Sequence, residues 1–411
     1  MQESLVLYNI LTLNASLRSS MTYCDRVLVS NKSAYRDSNG DLGTNPVNRA
    51  SPVFIRSYWC TLFVEEKGEV KMEKVITFGE IMLRLSTPAF RRFQQADSFD
   101  VTYGGAEANV SSSLSGLGLD SFFVTVLPDN DIGSAALAHL KKYDIKTEYI
   151  KRAEGRMGVY FLESGTSQRS SKVVYDRAYS ALAKSSADTF DWDRILEGAD
   201  WFHFTGITPA LSDSLAEAVS EAIKTAKKKN VKTSCDLNYR KLLWSREKAR
   251  SVMTPFMEYV DVLFVNEEDA DKVFGIKAED ANIEKGDVSA TSYQHVAKEL
   301  HKRFGFELVA ITLRESYSAS VNGWSGVVFD GKEFVQSRKY DIHIVDRVGG
   351  GDAFAAGVIY SHMSNRSLQE TVEFAAACSA LKHSIPGDFN SVSLDEVEAL
   401  RKSSGSGRIV R

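Results

Sequence analysis

The chain has 411 residues and a formal net charge of -4, with 43% hydrophobic and 25% charged residues. That balance excludes a collagen-like or wholly disordered chain, and the weak negative charge points away from nucleic acid or an anionic membrane as the main partner. Cys24, Cys60, Cys235 and Cys378 lie far apart without a CxxC pair, which excludes a cysteine zinc site or disulfide scaffold and fits a reducing cytoplasm.

No apolar run reaches the about 18 residues of a membrane span. Residues 4–17 are fairly apolar, but Glu3 stands where a secretory signal carries positive charge. Residues 18–56 are rich in Ser, Asn, Asp and Gly and show no periodicity. Residues 1–71 hold 7 acidic and 8 basic side chains, so the net negative charge belongs to the remainder. The expectation is an extension over 1–71, disordered or outside the native fold, with Met72 as a second plausible start and the folded domain over 72–411.

From Met72 the pattern alternates strand and helix. Val75–Phe78 is an apolar run ending in Gly79-Glu80. Ala106, Val110, Leu114 and Leu117 share one helical face, and Phe122–Val126 has the character of a buried strand. A capping box from Ser214 to Glu217 predicts a helix over 214–229. Strands are predicted at 200–204, 231–235, 262–265 and 308–313. The alternation predicts an α/β fold with a mainly parallel sheet covered by helices on both faces. The segments 83–104 and 155–178 differ: aromatics and arginines interleave in half-exposed strands, as in a small β-sheet lid.

In an open parallel sheet, ligands bind beyond the carboxyl ends of the strands. Here those ends run into Thr205-Gly206, then Asp236-Leu237-Asn238-Tyr239-Arg240, then Asn266-Glu267-Glu268-Asp269, then Arg314-Glu315-Ser316. Any one of them could be a helix cap; together they favour a polyanionic ligand with a divalent ion. The sharpest local signal is Val345-Asp346-Arg347-Val348-Gly349-Gly350-Gly351-Asp352, followed by a small-residue helix. Glycine amides at a helix N-terminus make a cradle for phosphate, and a carboxylate at its lip suits a general base rather than a phosphate ligand. The alternative is a turn capped by Asp352. There is no GxxxxGKS/T loop, GxSxG elbow, HExxH helix or dinucleotide GxGxxG, and His203 in an apolar strand is expected in the core.

The glycine segment resembles the C-terminal signature of the ribokinase-like (phosphofructokinase-B type) sugar kinases, and Tyr103-Gly104-Gly105-Ala106-Glu107-Ala108-Asn109-Val110 resembles their N-terminal signature. The resemblance runs from about Met72 to the C-terminus. GEIMLRLSTP, YGGAEANV, GVYFLE and DLNYRKLLW are most similar to the subfamily that phosphorylates 2-dehydro-3-deoxygluconate. It implies a Rossmann-like three-layer α/β/α sandwich with a β lid. The implied reaction is ATP-dependent phosphorylation at a terminal hydroxyl, with Mg²⁺, an open question of a monovalent cation, and a cytoplasmic homo-oligomer. Fructokinase, ribokinase, nucleoside kinase and a silent kinase-like protein stay as alternatives.

Carried over, Asp352 is the base and the amides of Gly349, Gly350 and Gly351 form the anion hole. Gly105, Asn109, Tyr160, Tyr175, Arg177 and Arg240 bind the sugar. Asn238, Asn266, Thr312, Arg314, Gly349 and Gly351 bind nucleotide, and Asn266 and Asp269 organise magnesium through water. Arg347 and Val348 stand where threonine is common, Gly350 where alanine is common, and Asp269 where glutamate is common. A carboxylate substrate is expected because a neutral sugar would leave Arg177 buried and unpaired.

Overall fold

The computed structural model describes residues 73–277 and 290–403. The expectation for residues 1–71 lies outside them.

Ten strands form the main sheet, in the order β13-β12-β11-β10-β9-β8-β1-β4-β5, with β14 paired to β12. In chain order these are β1 (Lys74–Phe78), β4 (Asp120–Pro128), β5 (Ile150–Ala153), β8 (Trp201–Thr205), β9 (Lys232–Asp236), β10 (Val262–Val265), β11 (Leu308–Ser316), β12 (Val321–Phe329), β13 (Phe334–Gln336) and β14 (Tyr340–His343). All pairings from β5 to β11 are parallel, and those made by β12 are antiparallel.

Residue alternation along each strand divides two cores. Ile76, Phe202, Leu263 and Ile311 pack on one face with helices α3 (Asp213–Lys228), α4 (Arg246–Phe256) and α5 (Ala290–Phe304). Val75, Trp201, Phe264 and Ala310 pack on the other with α1 (Ala106–Gly116), α6 (Gly350–Met363) and α7 (Leu368–Lys382). Both faces are buried, so most strands carry apolar residues on both sides, as in a parallel sheet, with polar exceptions such as His203, Thr233 and Ser234. α2 (Asp131–Lys142) flanks β4, and α8 (Leu394–Lys402) closes on α7.

The cap of α3 differs from expectation. Ser212, not Ser214, is the N-cap and accepts from the Leu215 amide. His203 is fully buried, with Nδ1 bonded to Ser234 Oγ at 2.8 Å, and burial lowers its pKa to about 3, so it is a core residue.

A second sheet has the order β3-β2-β6-β7, from β2 (Met82–Ser86), β3 (Asp100–Gly104), β6 (Val159–Glu163) and β7 (Lys172–Asp176). Apart from Met82 at the start of β2, these strands fall within the segments expected to form a lid. β7 is exposed along its length, yet Val173, Tyr175 and Arg177 line the same cavity as the main-sheet strand ends.

Candidate active site

The carboxyl ends of β1, β9, β10 and β11, the start of α1, the start of α6 and the lid enclose a cavity of about 390 Å³. Of the residues expected at the site, Gly105, Asn109, Tyr160, Tyr175, Arg177, Asn238, Arg240, Asn266, Asp269, Thr312, Arg314, Gly349, Gly351 and Asp352 all line it. Gly350 does not.

The turn before α6 explains the glycines one by one. Gly349 is the N-cap with φ 86°, the left-handed region, and a side chain there would run into the Asp388 carbonyl oxygen. Gly351 has open space where a side chain would point, so no protein contact dictates it; the cavity lies there. Gly350 turns away. Its amide faces the Arg347 carbonyl at 3.4 Å, its carbonyl accepts from Ser379 Oγ at 2.6 Å, and the His383 ring fills the place of a side chain. Gly350 thus packs against the protein rather than lining the cavity, unlike Gly349 and Gly351 on either side of it, while the first turn of a helix leaves amides without partners inside the helix.

Asp352 sits in that first turn, partly open to the cavity. Its pKa is raised to about 7, chiefly by burial, with Glu107 and Asp388 adding to the effect against the Asn109 hydrogen bond and Arg240. Asn109 Nδ2 donates to Asp352 Oδ2 at 2.7 Å, while Asn109 Oδ1 accepts from the Gly105 amide at 3.2 Å. The side chain expected to bind sugar is thus engaged at both ends and orients the carboxylate.

Arg177 carries a second correction. Its guanidinium meets Glu80 Oε2, with Nε at 2.9 Å and Nη2 at 2.5 Å. Glu80 is 3% exposed and also accepts from Ser180 Oγ at 2.5 Å. Arg177 is neutralised without any sugar acid, so the reasoning that a neutral sugar would strand it fails. It still lines the cavity, with the Tyr175 ring 5.7 Å away. Asp176, its neighbour in sequence, pairs with Arg156 on the outer side. Tyr160 is likewise committed: its hydroxyl donates to the Asp388 carboxylate at 2.6 Å.

Arg240 shares the cavity with three acids, Asp236, Asp269 and Asp352, without pairing directly with any of them. Asp236 is pushed well up by burial, with Asp352 and Asp269 adding and Arg240 opposing. Asp269 is raised to about 6 by burial, against Arg240 and a bond from the Tyr239 amide. Asn266 and Asp269 hold each other, with Asn266 Nδ2 to Asp269 Oδ2 at 3.0 Å and the Asp269 amide to Asn266 Oδ1 at 2.8 Å. Among the described residues no group of three His, Cys, Asp or Glu side chains is arranged to hold a metal. Asp236 and Asp269, which both line the cavity, are carboxylates of the kind that hold magnesium through its waters.

Sequence reasoning did not reach Glu80, Glu107 or Asp388 as cavity residues, nor Arg84 and Lys382 behind them. Glu80 follows the carboxyl end of β1, the same signal that flagged Asp236 and Asn266. Glu107 is buried and accepts from the Thr205 amide and from the hydroxyls of Thr205 and Thr208, and burial raises its pKa. Lys382 packs behind Gly349, with Nζ donating to the Ile385 carbonyl at 3.1 Å.

The sequence profile described as pfkB family carbohydrate kinase matches residues 72–393. The chain is 32% identical over 334 residues to a 2-dehydro-3-deoxygalactonokinase of Haloferax volcanii, covering 81% of this chain and 98% of that one. It is similar to the crystal structure of a 2-dehydro-3-deoxygluconokinase of Thermotoga maritima, with TM-score 0.78 and 53% identity, covering 80% of this chain and all of that one. An E. coli chain described as a ribokinase II in complex with ATP and Mg²⁺ shares the fold at TM-score 0.67 and 19% identity, covering 80% of this chain and 99% of that one.

Proposed function

We propose that this chain, which belongs to the pfkB family of carbohydrate kinases, transfers the terminal phosphoryl group of ATP to the terminal hydroxyl of a 2-dehydro-3-deoxy sugar acid. Its family makes it a phosphotransferase with an alcohol acceptor. The observation that carries the finer reading is Asp352, a raised carboxyl at the start of α6, oriented by Asn109 and sharing a cavity with Arg177 and Arg240.

Phosphoryl transfer needs positioning and charge neutralisation more than covalent chemistry from the protein. The ionised Asp352 accepts the proton of the attacking sugar hydroxyl. The oxygen attacks the terminal phosphorus as the bond to the nucleotide's bridging oxygen breaks, leaving ADP. The free amides at the start of α6 meet the charge building on the transferred oxygens. Asp236, Asn266 and Asp269, which line the cavity, would hold a magnesium ion through its waters, and that ion would supply charge neutralisation for the nucleotide phosphates. Thr312, Arg314 and Asn238 border the same space and suit the nucleotide.

The sugar's carboxylate falls to Arg240 or Arg177. Arg240 keeps most of its guanidinium uncommitted, with one bond from Nη1 to the Tyr239 carbonyl at 3.3 Å. Arg177 brings a planar fork already shared with Glu80. The names of the relatives offer two acids that differ in the configuration of one hydroxyl, gluconate-derived and galactonate-derived. The test is a panel with ATP and Mg²⁺: both of these acids, fructose, ribose and a nucleoside, with release of ADP and phosphorylated sugar measured. A kcat/KM highest for a neutral sugar refutes the sugar-acid reading and leaves the kinase assignment intact.

A further inference from the structure

Behind the glycine turn lies a buried ionic cluster that the chemistry above does not use. Arg84, on the lid strand β2, is 3% exposed. Its Nη1 donates to Asp388 Oδ1 at 2.7 Å, its Nη2 to Asp346 Oδ2 at 2.5 Å and its Nε to Ser86 Oγ at 2.7 Å. Burial works against the charge on Arg84, but Asp388 and Asp346 outweigh it and hold its pKa above the ordinary arginine value.

Asp346 then reaches the turn through its carboxylate, and Asp388 through its main-chain carbonyl. Asp346 Oδ1 accepts from the Val348 amide at 3.1 Å, and Oδ2 accepts from the Gly387 amide at 3.0 Å. The Asp388 carbonyl lies against Gly349, at 2.2 Å from where a side chain would begin. Other parts of the lid converge on the same acid. The Tyr160 hydroxyl on β6 donates to both Asp388 oxygens, and the end of β3 at Gly104 abuts the Asp388 carboxylate so closely that a methyl group would collide with it. The lid is therefore tied to the segments 346–349 and 387–388, and those segments shape the turn that presents Asp352.

We propose that Arg84 is a positioning residue for phosphoryl transfer: through Asp346 and Asp388 it fixes the turn over 347–351 in register with the lid that carries Tyr175 and Arg177. The inference rests on the kinase reading above, but not on which sugar is the acceptor. A guanidinium suits the task because its planar fork reaches two carboxylates at once in fixed geometry. Lysine keeps the charge but is a point donor and holds one acid well. A shift of the turn by about 1 Å is enough to cost about a hundredfold in rate, because in-line attack tolerates little misplacement.

The experiment compares wild type, Arg84→Lys and Tyr160→Phe, using the sugar that wild type phosphorylates best. Steady-state kinetics, thermal midpoint and amide hydrogen exchange over residues 346–352 are read for each. The expected result for Arg84→Lys is a kcat at least ten-fold below wild type, with the KM for ATP within about three-fold and a single cooperative melt. Exchange at the hydrogen-bonded amides of Val348 and Gly350 should be at least ten-fold faster in both variants, while exchange in β8 to β10 is unchanged. Unchanged kcat in Arg84→Lys overturns the proposal. So does a loss of activity that only tracks the fraction unfolded. Should Arg84→Lys not fold, Tyr160→Phe decides alone: it removes one hydroxyl from Asp388 and keeps the ring, and unchanged exchange at Val348 and Gly350 refutes the link. If wild type prefers a neutral sugar, the sugar-acid reading falls while this comparison still stands.

Discussion

Asp352→Asn separates a base from a cap. Asparagine keeps the shape, and its carbonyl oxygen can still accept the 2.7 Å bond from Asn109 Nδ2, but it cannot take a proton from the sugar. Turnover should fall by about two to four powers of ten, the usual worth of general-base catalysis. The raised pKa of about 7 adds a second signature. In the free enzyme about a tenth of the molecules carry the ionised base at pH 6, about half at pH 7 and about nine-tenths at pH 8. Wild-type kcat/KM should therefore rise through that window and level off, and the residual activity of Asp352→Asn should lack the rise.

Stability moves the other way. The folded carboxyl keeps its proton up to about pH 7, whereas the unfolded one loses it near its ordinary value of 3.8. Between these limits the folded state binds more protons, so this group's contribution to stability is full below the lower value and is lost as pH rises to the upper one. Full conversion of the shift is about 4 kcal/mol, but cavity water reaches the carboxylate, so a gain of about 1–2 kcal/mol is expected for Asp352→Asn at pH 8. The gain should shrink toward pH 4. The assays are coupled ADP release across pH 5.5–9 and thermal or urea unfolding at pH 4 and pH 8. Near-normal turnover in the Asn variant, or a persisting rise near pH 7 in its residual activity, would remove Asp352 from the role of base.

Arg177→Ala should lower kcat/KM for the sugar acid by about 2 kcal/mol more than for a neutral ketose, as removing one partner of a buried charged contact does. A loss common to both sugars reports only the stranding of Glu80 and would hand the carboxylate to Arg240. Gly350→Ala and Gly351→Ala form a contrast. The first drives a methyl group into His383 and should destabilise by about 1–3 kcal/mol, partly repaired by His383→Ala in a double-mutant cycle. The second meets open space, so the melt should hold while phosphoryl transfer drops; the reverse pattern would move the cradle elsewhere. A chain beginning at Met72 should fold and turn over like the full chain, because the sequence over 1–71 carries no periodic apolar face able to join a core, and lost activity on that truncation would contradict this.

The fold was legible where the physics is local and repeated. Runs such as Val75–Phe78 and Val262–Val265 are apolar on both faces because both faces are covered, and their polar sequels mark one edge of the sheet. The turn was legible for the same reason: Gly349, Gly351 and Asp352 lie within one helical turn of each other. The cap of α3 was misplaced by two residues because Ser212 and Ser214 offer the same hydroxyl, and only backbone geometry chooses between them. Ion pairs were the least legible. Asp176 adjoins Arg177, but a strand sends neighbours to opposite faces, and the partner is Glu80, 97 residues away. Arg84 and Asp388 are 304 residues apart, and nothing in the spacing of either announces the other.

This difference has a physical basis. A phosphate cradle needs amides and a carboxylate at fixed separations, which a short segment supplies unaided. Closing a lid over that cradle needs contacts between parts of the chain that fold separately and then meet. Such contacts leave no local period, and here they join apolar packing, as of Val348 on Met82 and Tyr160, to charge: Arg84 to Asp346 and Asp388, and Arg177 to Glu80. Apolar packing between lid and body would hold as firmly but would tolerate sliding by a fraction of a side chain. A guanidinium forked between two carboxylates tolerates far less, since a small displacement leaves a buried charge unpaired. The ionic cluster is thus suited to fixing the register of the catalytic turn against the lid, a task for which hydrophobic burial alone is a poor instrument.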